Sequence, residues 1–175
     1  AVKRGKALYA GVSNYGAEDA RRAAEILRGM GVPLVVNQPR YNMLSRQIEE
    51  GLLKALKDAG AGAAVFSPLA QGILSGRYLD GVPADSRAGG PNPFLKAEQL
   101  TPGLMEKVRG LNRVAEGRGQ TLAQMALAWV LRHDEVATVL VGASRVSQIE
   151  ENVRAIQDAA PFAAEELEAI DRILA

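Results

Sequence analysis

The residues able to do chemistry lie just after four short apolar runs. Ser13 and Asn14 follow the first run; Gln38 ends the second, with Tyr41 and Asn42 close behind. Phe66, Ser67, Pro68 and Leu69 close the third, and Gly142, Ala143, Ser144 and Arg145 follow the fourth. Ligands of α/β folds bind at the C-terminal ends of parallel strands, so these positions carry the most information. The set is rich in amides and hydroxyls, contains two aromatics, and lacks a carboxylate pair, a histidine or a lysine. It can hydrogen-bond a carboxamide and stack a ring, but it offers no general acid or base. A plainer reading stands beside this one: small polar residues also end strands because turns favour them.

The fourth run end is the most specific. Gly142 lets the backbone approach a ligand, and Ser144 and Arg145 lie just ahead of a helix. Unpaired amides and the helix dipole favour a phosphate there, and Arg145 adds a cationic fork. The alternative is a helix cap beside a solvated arginine. Gly60-Ala61-Gly62 imitates part of a dinucleotide fingerprint, but it precedes a strand and lacks the third glycine, so it reads as a helix cap and turn. His133, beside Asp134 and Glu135 at a helix end, reads as a surface or capping residue.

The elements that must position these groups follow from periodicity. Strands are predicted at 7–12, 34–38, 63–66 and 138–141, where apolar and β-branched residues run together. Helices are predicted at 17–30, 46–59, 102–117, 121–132, 147–158 and 164–174. Ala20, Ala23, Ala24 and Leu27 make the apolar stripe of the first; Leu122, Met125 and Trp129 do the same in the fourth and belong to the core. Thr121 with Gln124, and Ser147 with Glu150, have capping-box spacing. The segment 77–100 holds Pro83, Pro91 and Pro93 with Gly81, Gly89 and Gly90, which forbid a long regular element. A loop of that length is usually functional or disordered.

Strands separated by helices imply parallel pairing with right-handed crossovers. An open doubly wound sheet fits, and so do four βα units of a (β/α)8 barrel; 175 residues are too few to close a full barrel, which takes about 250. The whole chain reads as one partial-barrel domain.

Composition narrows the partners. With 21 basic and 20 acidic residues the net charge is +1, which supports neither nucleic acid nor a membrane surface as a partner. The chain has no cysteine, so disulfide and thiolate chemistry are out, and one histidine cannot build a multi-histidine zinc site. No apolar run reaches membrane-spanning length, and no signal-type stretch precedes the first strand. A cytoplasmic location is expected.

Taken in order, the strand ends resemble those of the aldo-keto reductases along essentially the whole chain. The matching stretches are Gly5 to Asn14, Asn37-Gln38-Pro39-Arg40-Tyr41-Asn42, Phe66 to Gly72, Ser75-Gly76-Arg77-Tyr78, and Val141-Gly142-Ala143-Ser144-Arg145 with Gln148, Glu151 and Asn152. The resemblance implies an α/β fold: the C-terminal half of a (β/α)8 TIM barrel, four parallel strands (the family's fifth to eighth) with flanking helices. It implies NADP(H) as cofactor, with Ser13, Asn14 and Gln38 holding the nicotinamide carboxamide and Phe66 stacking on its ring. Ser67, Leu69 and Gln71 would contact the pyrophosphate, and Arg77 and Arg87 would lie in a loop closing over the cofactor. Gly142, Ser144, Arg145 and Gln148 would receive the 2′-phosphate, Glu151 and Asn152 the adenine. Three arginines favour a 2′-phosphate over a free hydroxyl.

The family's catalytic tyrosine, aspartate, lysine and histidine belong to the first four strands. Tyr9, Tyr15, Tyr41, Tyr78 and His133 do not match them. The resemblance therefore implies no catalytic residue and no metal site in this chain, which is expected to be inactive alone. Its partner would be a missing N-terminal half-barrel or a second copy of itself; the complete enzyme would reduce a small carbonyl substrate. A non-catalytic NADP(H) binder, or an accessory protein like the family's channel β-subunits, is the alternative.

Overall fold

A computed structural model describes residues 1–91, 94–157 and 160–175. Pro93 of the long loop and Asp158, the expected end of the fifth helix, lie outside the described residues. The chain divides into two compact units, Ala1–Ser67 with His133–Val141, and Pro68–Arg132 with Gly142–Ala175.

The first unit contains a four-stranded sheet, β1 (Ala10–Ser13), β2 (Leu34–Gln38), β3 (Gly62–Phe66) and β4 (Val136–Leu140), in sequential order with every pairing parallel. This is the expected α/β pattern of a partial (β/α)8 barrel. β1 begins later than the apolar run suggests: Leu8 and Tyr9 precede it and are strongly exposed. β4 starts earlier than expected, at Val136.

α1 (Ala17–Gly29) and α2 (Leu52–Ala59) pack on each other and on β2. Ala20 and Ala24 face inward from α1, and Leu52, Leu53, Ala55 and Leu56 from α2. A fully buried leucine such as Leu56 contributes about 1.5–3 kcal/mol relative to exposure. The expected helix over 46–59 is in fact two pieces, a 3-10 turn at Gln47–Glu49 and then α2. Gly51, with φ +110°, interrupts it; that conformation is outside the helical range and is open to glycine alone at low cost. Gly60 ends α2 in the left-handed region, as the cap reading required.

The second unit is helical. α3 (Pro102–Gly117) packs on α4 (Leu122–Val130) and α6 (Ala164–Leu174), and α4 packs on α5 (Val146–Gln157). Met105, Val108, Leu111, Met125, Trp129 and Ile170 fill its core. Gly110 matters here, because a Cβ would meet Ile173 of α6 at 3.0 Å. Thr121 and Gln124 form the expected capping box on α4. The box expected from Ser147 and Glu150 does not form: α5 starts one residue earlier, so Gln148 takes the third helical position, and its Oε1 accepts from the Ser144 and Arg145 amides at 2.8 and 3.2 Å. Arg118 staples the α3 end, its guanidinium paired with Glu166, donating to the Ala160 carbonyl at 2.7 Å and lying 3.9 Å from the Phe162 ring centre.

Candidate functional site

In the first unit the strand ends are wired to one another. The Ser13 hydroxyl donates to the Gln38 carbonyl at 3.0 Å, and the Asn14 amide donates to the same oxygen at 3.2 Å. Asn14 takes φ +56°, a left-handed conformation that asparagine tolerates better than most residues. The backbone of Gln38 is thus occupied, while its side chain is exposed and has no partner among the described residues. On the next strand Phe66 is half-buried and Ser67 again has a left-handed φ, +55°. The Ser67 carbonyl is fixed by the Asn42 side-chain amide at 2.9 Å. Ser13, Asn14, Gln38 and Phe66 thus all belong to the first unit, at the C-terminal ends of its strands.

Two buried asparagines hold this arrangement from behind. Asn42 also accepts from the Leu44 amide at 3.0 Å, and Asn37 donates to the Tyr15 carbonyl at 2.9 Å, fixing the loop that follows Asn14. The Asn37 Oδ1 is buried with no hydrogen-bond partner among the described residues, which costs stability and is rare in folded chains. The sequence singles out Asn42 among the strand-end residues and holds Asn37 only within a matching stretch. Their signal was an amide side chain at an otherwise apolar strand end.

His133 departs from its expected role. It stands in a network around Glu49, whose Oε1 accepts from the Tyr41 hydroxyl at 2.5 Å and lies 3.7 Å from His133 Nε2. Arg46 grips the other oxygen of Glu49 through Nε and Nη2 at 2.9 and 2.7 Å. Tyr41 is fully buried. His133 is thus part of an internal brace tying the β2–α2 connection to the start of β4. Glu49 and Arg46 carried no motif and were missed.

In the second unit, residues from the segment after β3 adopt an unusual backbone. Ala70, Gln71 and Gly72 have φ of +47°, +60° and +98° in succession. Consecutive left-handed residues turn their amides toward one side and make a concavity suited to an anion. The Gln71 side chain accepts from Arg87 Nη1 at 2.5 Å. Arg77 pairs with Asp85 at 2.7 Å and also donates to its carbonyl at 3.2 Å. The hydrogen bond and charge of Arg77 hold the Asp85 carboxyl below its ordinary value of 3.8, and the charge of Arg145 adds to the effect. Arg77 and Arg145 therefore act on one carboxylate although they lie far apart in sequence.

The irregular loop has its own internal support. Ser86 donates to the Pro83 carbonyl at 2.5 Å and accepts from the Gly89 amide at 3.1 Å, and the buried Tyr78 accepts from the Ala88 amide at 3.4 Å. A Cβ at Gly89 would meet the Pro83 carbonyl at 2.3 Å. Gly142, Ser144 and Arg145 are exposed ahead of α5, with Gln148 bound to two of their amides. Glu151 is engaged elsewhere, accepting from the Thr121 hydroxyl at 2.7 Å; Asn152 beside it is half-buried. Among the described residues no cluster of three metal-ligating side chains occurs, and no helix is long and apolar enough to cross a membrane.

Comparison with known proteins matches the chain to one family. A model of the aldo/keto reductase family matches residues 1–175. The chain is 45% identical to L-glyceraldehyde 3-phosphate reductase of Escherichia coli, over all of the chain and 51% of that protein. It is 38% identical to a "probable voltage-gated potassium channel subunit beta" of Arabidopsis thaliana, over 89% of the chain and 48% of the relative. A rice protein of the same description is 35% identical, over 98% of the chain and 53% of the relative. The chain spans about half the length of the curated relatives it matches.

Proposed function

The chain belongs to the aldo/keto reductase family, and on that premise we propose that it is the NADP(H)-binding half of an aldehyde or ketone reductase. The observation that carries this reading is the cationic group in the second unit. Arg77, Arg87 and Arg145 all belong to the second unit, Arg77 paired with Asp85, Arg87 bonded to Gln71 beside the left-handed run, and Arg145 exposed ahead of α5. A 2′-phosphate and a pyrophosphate need such partners, whereas a free 2′-hydroxyl does not.

The residues present fit the cofactor chemically. In the first unit Ser13, Asn14 and Gln38 supply the amide and hydroxyl groups a carboxamide requires, and Phe66 supplies a ring face. In the second unit the left-handed run at Ala70, Gln71 and Gly72 and the side chains of Arg77 and Arg87 suit the pyrophosphate. Ser67 and Leu69 flank that run, and Gly142, Ser144, Arg145 and Gln148 suit the 2′-phosphate. Glu151 and Asn152 would meet the adenine. NADPH, when bound, supplies the hydride for carbonyl reduction.

This chain's part is to hold and orient that donor and to exclude water around it. Protonation of the substrate oxygen falls to residues on a further half-barrel; a second copy of this chain could complete the sheet but would bring no proton donor of its own. The exposed Leu8 and Tyr9 before edge strand β1, and Leu140 and Val141 at edge strand β4, support such an addition. The complete protein acts in the cytoplasm on a small carbonyl compound. The likeness to channel β-subunits favours, as a second reading, an accessory protein that binds the cofactor without turnover.

Quenching or enhancement of reduced-nicotinamide fluorescence tests the proposal directly. The chain should bind NADPH more tightly than NADH by about tenfold or more. No binding, or equal binding of both, would falsify it. With methylglyoxal the chain alone should not oxidise NADPH.

A further inference from the structure

The first unit carries an open cleft of about 230 Å³ that the cofactor reading does not use in full. Asn14, Tyr15, Gly16, Arg40, Gln47 and Glu50 are among the residues that line it. Its volume accommodates several water molecules at ~30 Å³ each, and so a small organic molecule.

Arg40 decides the chemistry of this cleft. Its backbone is fixed: it bridges to Phe66, and its neighbours on either side bond that residue, the Phe66 amide donating to Pro39 O at 3.1 Å and the Tyr41 amide to Phe66 O at 3.3 Å. Its side chain is exposed and has no hydrogen bond or ion pair among the described residues. A cation on a rigid strand extension, left unneutralised, is a ready partner for an anion. Glu50 lines the same cleft but does not pair with it, and the nearby Glu49 is committed to Arg46 and Tyr41. Gly16 adds to the effect. It precedes α1 with an extended backbone and no capping side chain, so the first amides of that helix are left uncapped, although Glu18 and Asp19 stand in the same first turn.

Asn14 lines the same cleft and is neutral, and it is the residue that the proposed function places against the nicotinamide carboxamide. A ligand in the cleft would therefore meet Arg40 with an anionic group and Asn14 with a neutral portion. Gln47 and Glu50, also in the lining, can accept from or donate to hydroxyl groups. We propose that Arg40 anchors the phosphate or carboxylate of a small hydroxylated carbonyl substrate, and so sets the enzyme's preference for anionic over neutral substrates. This assignment rests on the cofactor reading of Asn14.

The test uses the full chain saturated with NADP⁺ and stable analogues of such a substrate. sn-Glycerol 3-phosphate, glycerate, glycerol and inorganic phosphate are titrated separately, following the amide resonances of residues 14–17 and the Arg40 side-chain Nε–H. One or both charged triose analogues should bind at least about tenfold more tightly than glycerol, and the tighter of the two identifies phosphate or carboxylate as the anchor. Arg40→Ala should abolish that preference and Arg40→Lys restore part of it, with Met105 and Leu111 resonances reporting an intact fold. The proposal is overturned if Arg40→Ala leaves the preference unchanged. It is equally overturned if inorganic phosphate binds as well as glycerol 3-phosphate, since the cleft would then hold an anion and not a substrate. Absence of NADPH binding by the unsubstituted chain is a separate result, and it removes the cofactor reading instead.

Discussion

Replacing Arg145 by alanine isolates the charge on which cofactor preference depends. The side chain is exposed and makes no ion pair or hydrogen bond among the described residues, and its charge is only the last of the influences that lower the Asp85 carboxyl. The start of α5 is held by Gln148 through backbone amides, including that of Arg145 itself, which alanine retains. Stability should therefore change by no more than about 0.5 kcal/mol, the usual range for a surface site. Binding should change far more. A charge-assisted contact to a phosphate is worth roughly a tenfold change in affinity, discounted toward the lower end because the site is open to solvent. The loss should appear for NADPH and not for NADH, which has no 2′-phosphate to lose. Fluorescence titration of both cofactors, at low salt where screening is weakest, measures the ratio. If both weaken equally, Arg145 acts through the fold or the pyrophosphate; if neither weakens, it is a solvated cap. Either result refutes the assignment of the 2′-phosphate to this helix start.

Two further outcomes follow from the loop. Gly89→Ala would drive a Cβ into the Pro83 carbonyl, which backbone cannot yield cheaply; NADPH affinity should fall while the far-ultraviolet dichroism of strands and helices stays unchanged, and an unaltered affinity would show that the loop does not touch the cofactor. Asp85 gives a pH dependence of known sign: its carboxyl is held below 3.8, so the Arg77–Asp85 pair supports the loop above that value and is lost as pH falls through the lowered one. Hydrogen exchange in residues 77–91 should rise only in acid, and loosening between roughly pH 5 and 7 would mean that another group holds the loop.

Much of this molecule was readable from residue order. Alternation of β-branched runs with helical stripes gave all four strands and their parallel sense, because crossover helices leave few other connections. Thr121 with Gln124 and the glycine after α2 marked helix ends through local chemistry, and local chemistry is what a sequence records best. The strand-end amides were legible for the same reason: parallel strands deliver their C-terminal residues to one edge of the sheet whatever the details.

What the sequence did not carry depends on groups far apart along the chain. Glu49, Arg46, Tyr41 and His133 form one brace only because β4 returns beside β3 and brings His133 to the β2–α2 connection. Gly51 falls inside the helix predicted over 46–59, and only its φ of +110° shows that the helix restarts there. Ser147 and Glu150 had the spacing of a capping box, yet a one-residue shift gave the cap to Gln148, since the winner depends on where the chain enters the helix. Arg40 stood only inside a matching stretch, with no role of its own; its significance comes from a fixed backbone and from a nearby acid, Glu49, that is committed to Arg46. Local propensity writes the elements into the sequence, whereas the pairing state of a charge is decided by every neighbour that folding brings within reach.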